Sequence, residues 1–512
     1  MAGYREESDV LGSVKVPSNA YYGAETQRAV DNFPISGLRI NSTFVKHYAI
    51  IKRAAALVNV SNGKLDRRIG GAIVDACDEI IEGKLSDQFV VDAFQAGAGT
   101  STNMNLNEVI ANRAIELLKG KRGDYRLVHP NDHVNMAQST NDTYHANIHL
   151  TAYAMITKSL LPTLELLEKA FSAKAKEFSN DIKIGRTHLQ DAVPMTLGQE
   201  FSGYAYALSV QKNNIERNAE YLLELSLGGT AVGTGIESYK GYSNSVVAEI
   251  SKITGFKMKV AKNFFGVQQN QVEELAVSGS IRGLAALLIK IANDLRLLSS
   301  GPRAGMSDIT IPPVQPGSSI MPGKINPSIP EMLDMVCFDV MGKDTSITYA
   351  AQSGQLELNV FMPVIAYNLL YSISLLTNAM NVFRKKCVTG IKANKANLKH
   401  HLDENLSLAT ALSEELGYTR AAQIARRAYK EGKPIMLVMI DDRPYAIGAV
   451  CSHRGGPLEK GMIEGMAVKC PWHGALFDLK TGKALPTTPW GKEQGTYRVT
   501  IDNNTGDVLI DV

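Results

Sequence analysis

The residues from Gly317 to Pro327 read G-S-S-I-M-P-G-K-I-N-P, combining paired serines, a lysine and an asparagine with almost no apolar packing value. Pro322 and Pro327 each remove a backbone donor and fix φ, so no helix runs through the stretch. Gly317 and Gly323 permit sharp bends and close approach of the backbone to a ligand. A polar loop is expected here, setting hydroxyls, backbone N–H groups and one ammonium around an anion, on flanking segments that read as helical. Three further clusters carry similar groups: Gly97-Ala98-Gly99-Thr100-Ser101-Thr102-Asn103-Met104-Asn105, His129-Pro130-Asn131-Asp132-His133 running on to Gln138-Ser139-Thr140-Asn141-Asp142, and Gly185-Arg186-Thr187-His188-Leu189-Gln190-Asp191. Each sets small hydroxyl or amide side chains beside glycine or at an expected helix start, where the helix N-terminus favours an anion. Routine helix capping accounts for any one of them. Four in one chain, one with a lysine and one with a histidine, point to an anion site. A last set, Cys451-Ser452-His453 and Cys470-Pro471-Trp472-His473, gives C-x-H, sixteen intervening residues, then C-x-x-H.

The elements that must position these residues follow from periodicity. Residues 1–140 mix short extended pieces with helices over Ser42 to Val60 and Arg68 to Glu82. Residues 141–390 are long and helical, with expected helices over Thr151–Phe178, Gly198–Leu227, Gln268–Ser300 and Pro330–Gly354, an elongated bundle. Apolar residues on more than one helix face suggest burial against other subunits. From 433 to 512 the pattern turns to short β runs separated by Asp441-Asp442, Gly455-Gly456-Pro457, Thr481-Gly482 and Asn503-Asn504-Thr505-Gly506, a small antiparallel β domain with its boundary near 432. A net charge of +3 on 512 residues points to neither nucleic acid nor an anionic membrane. The uncharged run Leu358–Phe383 is interrupted by Asn359, Asn368, Ser372, Ser374, Thr377 and Asn378, which favours a buried bundle helix over a membrane span. Five scattered cysteines and no apolar leader at the start fit a reducing, cytoplasmic setting.

Residues 1 to about 430 resemble the fumarase/aspartase superfamily. The G-S-S-x-M-P-x-K-x-N-P loop resembles its signature, and G-T-S-x-N-M-N, Q-S-T-N-D and G-R-T-H-L-Q-D-A match its other site regions in order. The resemblance implies a mainly α fold, a homotetramer around a central helical bundle, and active sites built from three subunits. Residues 391–432 would be the remnant of a C-terminal helical domain. The implied chemistry is reversible elimination from a four-carbon dicarboxylate to give fumarate, through an aci-carboxylate that the site must stabilise. By that pattern Ser318 is the base, and its hydroxyl needs loop N–H groups, the Lys324 charge and exclusion of water to lower its pKa. Thr100, Ser139, Thr140 and Ser319 would hold the carboxylate that takes up charge. Thr187, Lys324 and Asn326 would hold the other. Asn141 and His188 would lie near the leaving group. Glu331 would pair with the histidine, although Ser328-Ile329-Pro330-Glu331 also reads as a capping box. Fumarases typically carry serine at Ala98 and Q-S-S-N-D where this chain has Q-S-T-N-D, so the resemblance leans to L-aspartate, with L-malate as the alternative. Two places depart from both: Tyr144-His145-Ala146 replaces the usual aromatic-Pro-Thr, and Phe361-Met362-Pro363 lacks the family's charged residue.

Two cysteines and two histidines suit a tetrahedral zinc, but zinc fingers place a cysteine pair before a histidine pair. Two mixed loops on a β domain suit a Rieske [2Fe–2S] cluster, with two cysteines on one iron and two histidines on the other. C-S-H-R-G-G-P-L and C-P-W-H-G-A-L-F-D-L-K-T-G are similar to Rieske ferredoxins, which implies Cys451, His453, Cys470 and His473 as ligands and a potential of roughly −150 mV. The elimination needs no electrons, so this centre suggests redox regulation or docking to an electron-transfer partner. A reading of another class is an electron-transfer or redox-sensing protein on a lyase scaffold.

Overall fold

The computed structural model describes residues 3–405, 435–441, 443–488, 490–501 and 508–511, with isolated positions between 418 and 426. Most of the expected helical remnant beyond 405 falls outside the described residues, as do the boundary near 432 and the turn at 503–506. The chain forms two compact units. One comprises Met1–Lys174, Ser202–Met306 and Ile311–Ile391, the other Ala175–Phe201, Ser307–Thr310 and Lys392–Val512.

The first unit opens with an antiparallel hairpin, β1 (Tyr4–Asp9) and β2 (Gly12–Pro17), followed by α1 (Ala24–Asn32), α2 (Ser42–Ser61), α3 (Arg67–Ile81) and α4 (Thr100–Leu117). Next comes α5 (Thr140–Met155), which passes through a π turn into α6 (Leu161–Glu177). The helix therefore starts eleven residues before the expected Thr151, because Ser139 supplies a complete N-terminal cap there. A second hairpin, β3 (Ile182–Thr187) and β4 (Gln190–Thr196), belongs to the second unit and leads into α7 (Leu197–Ala219). α7 stops short of the expected Leu227, and a short parallel pair forms between β5 (Glu224–Leu225) and β6 (Lys259–Val260), with α8 (Tyr242–Thr254) between them.

The expected helix over 268–300 is two helices, α9 (Phe264–Gln269) and α10 (Val272–Leu298), broken where Asn270 and Gln271 leave helical geometry. After β7 (Ile309–Thr310) come α11 (Ser328–Gln352) and α12 (Met362–Lys386). Apart from β7, the chain from 299 to 316 is irregular, so the Gly317 loop has helix only on its downstream side; Pro302, Pro312, Pro313 and Pro316 prevent one upstream. α10 packs on α11, α11 on α12, and α12 on α5, giving the expected helical bundle core. α12 buries Ile365, Leu369, Ile373, Leu376 and Met380, as expected for its uncharged run. Among the described helices, α10 is the one long and apolar enough to cross a bilayer, with half of that stretch buried.

In the second unit β8 (Lys392–Ala393) pairs with β7, and α13 (Lys395–Asp403) follows. The C-terminal part is β-rich, as the alternating pattern requires. β9 (Ile435–Ile440), β10 (Arg443–Gly448), β14 (Thr496–Ile501) and β15 (Val508–Asp511) form a sheet in the order β15-β14-β10-β9. β11 (Met462–Glu464), β12 (Ala467–Lys469) and β13 (Leu476–Asp478) form another. Cys451 and Cys470 lie inside this domain's apolar core, with Ile447, Leu458, Val468, Ala475, Phe477 and Leu479.

One backbone position fixes the approach to α4. Gly99 has φ +86°, and a Cβ there would sit 2.2 Å from the buried Tyr144 ring on α5. The left-handed conformation and the contact together require glycine. Gly99→Ala is expected to cost roughly 3 kcal/mol of stability, summing strain and overpacking. Chemical denaturation against the parent chain measures this.

Candidate active site and cysteine–histidine loops

The loop from Gly317 to Pro327 closes on itself. Gly317 N–H donates to the Lys324 carbonyl at 2.7 Å, and Asn326 Nδ2 donates to the Gly317 carbonyl at 2.8 Å. Within that ring the Ile320 and Met321 N–H groups both donate to Ser318 Oγ, at 3.2 and 3.0 Å. These are the loop donors that a serine base requires, since they favour the charged oxygen over the neutral hydroxyl. Ser318 and Lys324 line the same cavity of about 460 Å³, bounded by Pro313, Pro316 and Met321. Ser319 and Lys324 are exposed, and Asn326 is half-buried.

A second group of predicted residues gathers where α4 and α5 begin. Ser139 caps α5 in a capping box with Asp142. Its Oγ accepts from the Asn141 N–H at 3.3 Å, which leaves the hydroxyl hydrogen free. Thr140 Oγ1 accepts from Asn103 Nδ2 at 3.0 Å, so that hydroxyl too keeps its hydrogen for an acceptor. Asn141 Nδ2 donates to the Ala231 carbonyl at 2.7 Å. Thr100 stands at the first turn of α4, exposed, and borders a cavity of about 490 Å³ with Ser101, Glu108, His129 and Asn131. His129 itself caps the following turn by accepting from the Asn131 and Asp132 N–H groups.

Beneath these groups runs a buried polar network that sequence reasoning missed. Tyr48 on α2 donates to Asn103 Oδ1 at 2.9 Å and meets Thr143 Oγ1 at 2.8 Å. Lys52, one helical turn on, donates to Asn135 Oδ1 and Gln138 Oε1 at 2.9 and 3.0 Å. Burial pulls the Lys52 ammonium down to about 7, with Asp142 opposing. Asp142 accepts from the Ser139 N–H on one oxygen and from Gly228 and Thr230 N–H on the other. Burial pushes its carboxyl up to about 6 against those donors. The signal available in the sequence was a lysine one turn from a tyrosine, on the side of α2 that also carries Ala49, Ala55 and Ala56.

Thr187 and His188 stand at the tip of the β3–β4 hairpin and are exposed. They lie close to Gly185 on a hairpin and not at a helix start. His188 and Leu189 both take positive φ, 54° and 63°, in a two-residue turn between Thr187 and Gln190. The exposed His188 is also not a buried core histidine. Asp308 anchors this hairpin: it receives Arg186 Nη1 at 2.6 Å and His401 Nδ1 at 2.9 Å, with Lys183 Nζ at 3.6 Å. Glu331 is exposed on the first turn of α11. The capping box expected with Ser328 does not form. The Pro327 carbonyl already accepts the Glu331 N–H, which makes Pro327 the cap and places Ser328 inside the helix.

The two cysteine–histidine loops are built alike. Cys451 N–H donates to the Gly456 carbonyl and Cys470 N–H to the Ala475 carbonyl, five residues on in each case. Gly455 and Gly474 N–H return to the Cys451 and Cys470 carbonyls, with φ of +76° and +72°. Both cysteines are buried, and burial pushes the Cys451 thiol up while His453 and Arg454 N–H groups and the Cys470 thiol contact its sulfur. The His453 and His473 rings lie 5.2 Å apart, and His453 Nδ1 is a buried nitrogen without a partner. Two sulfurs and an orphaned imidazole nitrogen converging at one end of a β domain fit a cluster held by Cys451, Cys470, His453 and His473. Gln494 braces the first loop, accepting from Ser452 N–H and donating to the Gly448 and Val450 carbonyls.

A helical bundle carrying a serine-bearing polar loop and hydroxyl-lined helix starts, followed by a β domain with paired Cys/His loops, fits a lyase joined to an iron–sulfur type of module. Comparison with known proteins agrees. A lyase family matches residues 12–342, and the Rieske [2Fe-2S] domain matches residues 412–497. An aspartate ammonia-lyase of Bacillus sp is 46% identical over 431 residues, 84% of this chain and 92% of that protein. A class II fumarate hydratase of Brucella suis is 48% identical over 432 residues, 84% of this chain and 93% of that protein. The crystal structure of class II fumarase from Schistosoma mansoni superposes with a TM-score of 0.82 at 39% identity, covering 84% of this chain and 93% of that one. The chain belongs to the fumarase/aspartase superfamily of lyases and carries a C-terminal Rieske domain.

Both tryptophans of the chain, Trp472 and Trp490, lie in this C-terminal part, so their fluorescence reports its unfolding alone. Gln494→Leu leaves buried backbone groups unpaired and is expected to lower that transition by about 2 kcal/mol. Denaturant titration read at the two tryptophans checks it.

Proposed function

We propose that the chain is an aspartate ammonia-lyase, eliminating ammonia from L-aspartate to give fumarate. The observation that carries this reading is Ser318 Oγ receiving two N–H donors within one cavity shared with Lys324. Ser318 acts as its alkoxide and removes the proton beside one carboxylate. Thr100, Ser139, Thr140 and Ser319 hold that carboxylate as it becomes the aci form; Thr140 and Ser139 keep hydroxyl hydrogens for it. Thr187, Lys324 and Asn326 hold the other carboxylate, and Asn141 and His188 serve the leaving amine. Glu331 supports the histidine.

These groups work as a homotetramer, each site drawing residues from neighbouring copies. Exposed Met335, Phe338 and Tyr349 along α11 support burial of that face against other subunits. Ala98, a methyl where fumarases carry a hydroxyl, favours aspartate; water as the leaving group, from L-malate, is the second reading. In the β domain Cys451, His453, Cys470 and His473 would hold a [2Fe–2S] cluster, which when bound supplies one-electron transfer. Buried Cys451 and the unpartnered His453 Nδ1 support that assignment. The elimination is redox-neutral, so this domain serves regulation or an electron-transfer partner.

Fumarate formation from L-aspartate and from L-malate, assayed on one preparation with its visible and EPR spectra, tests both halves. Turnover of malate but not aspartate would replace the substrate assignment; a colourless, zinc-loaded β domain would overturn the cluster. Ser318→Ala is expected to lower kcat about 10³-fold with a much smaller change in KM.

A further inference from the structure

His145, which stands where the family pattern has proline, is buried beside His149 on one face of α5, and both face the buried Glu274 on α10. His145 Nε2 lies 3.4 Å and His149 Nε2 3.1 Å from Glu274 Oε1. Neither nitrogen and neither Glu274 oxygen has a hydrogen-bond partner; the 3.1 Å approach is off the line that an N–H···O bond requires.

The far side of each ring fixes its tautomer. His149 Nδ1 is 2.7 Å from the Glu224 carbonyl, which only accepts, so Nδ1 carries the hydrogen. His145 Nδ1 is 3.2 Å from Ser226 Oγ, whose own hydrogen goes to the Asp142 carbonyl at 2.7 Å. His145 therefore donates from Nδ1 as well. A proton on His149 Nε2 would pair that ring with Glu274, yet no well-aligned N–H···O bond joins them, and His145 Nε2 faces the same carboxylate in a site sealed from water. With both rings neutral, as metal ligation requires, two Nε2 lone pairs meet a carboxylate, an arrangement costly to bury without a cation.

We propose that His145 Nε2, His149 Nε2 and Glu274 bind one divalent first-row transition metal, zinc in the first instance. The three ligating atoms lie within 4.8 Å of one another. Two donors about 2.1 Å from a tetrahedral ion sit about 3.4 Å apart, close to the separations here. Imidazole nitrogens plus a carboxylate suit zinc or cobalt, and the Nδ1–H bonds to Glu224 and Ser226 are the outer contacts that ligating histidines normally make. The ion clamps α5 to α10 and to the strand after α7. Because Asp142 and Ser226 join the same assembly, it also braces the start of α5, where Ser139, Thr140 and Asn141 stand.

The test uses the full-length chain with Cys451→Ser and Cys470→Ser, so that no metal binds through those thiols. After chelation and repletion with Zn²⁺, elemental analysis is expected to give one zinc per chain and a melting temperature several degrees above the metal-free form. His145→Gln in the same background is expected to lose both. A folded parent that retains no zinc and melts unchanged would overturn the site, and so would undiminished zinc in the folded His145→Gln chain. Should that variant fail to fold, Co²⁺ in the parent decides. Visible d–d bands of nitrogen- and oxygen-ligated cobalt support the site, and their absence overturns it.

Discussion

The Asp142 carboxylate is the interaction on which the helical half of the site depends. It is fully buried, yet it satisfies three backbone N–H groups: its own cap residue Ser139 and the distant Gly228 and Thr230. Those bonds stop α5 from fraying where its orphan donors would otherwise need water. They also tie the helix start to a loop more than eighty residues away. With the start of α5 fixed, Asn103 reaches Thr140, Asn141 reaches Ala231, and two hydroxyls are left with hydrogens to offer. Lys52 and Tyr48 support the same layer from α2, so the polar surface rests on a polar interior rather than an oily one. Leaving these groups unpaired would cost more than an apolar core, which makes the bonds a contribution to folding as well as to the site.

The hydrogen bonding of Ser318 follows another logic. Its donors lie two and three residues further along the same loop, and the loop's ends are held by Gly317, Lys324 and Asn326. Both N–H donors to this hydroxyl are local. The hairpin bearing Thr187 and His188 is the opposite case, because its orientation depends on Asp308 receiving Arg186 and His401 from separate parts of the chain.

What could be read from the sequence tracks this division between local and distant control. The Gly317 loop and the glycine-bearing cysteine loops each depend on residues within a few positions, and each was legible; the Ser139 cap is as local, yet the helix was expected only from Thr151. The β3–β4 turn was not, because His188 and Leu189 adopt positive φ without the Asn-Gly pair that usually announces it. Ser328 looked like a cap until the Pro327 carbonyl took that role one residue earlier. The split between α9 and α10 has neither proline nor glycine at Asn270 and Gln271 to signal it. Asp308, Asp142 and Glu274 act across long separations that no local pattern encodes. His145 was visible as an oddity in the motif, but its meaning lay in Glu274, more than a hundred residues on.

The self-closed hydrogen bonding of the Gly317–Pro327 loop has a kinetic meaning as well. The bonds that close the segment on itself travel with it when it shifts and need not be exchanged with water on the way. The barrier to its displacement then comes from torsions near Pro316 and Pro327 and from the exposed Ile320 and Met321 side chains. In the role proposed for it, Ser318 would meet a substrate with its loop hydrogen bonds already made, and forming them would take no part of the catalytic cycle.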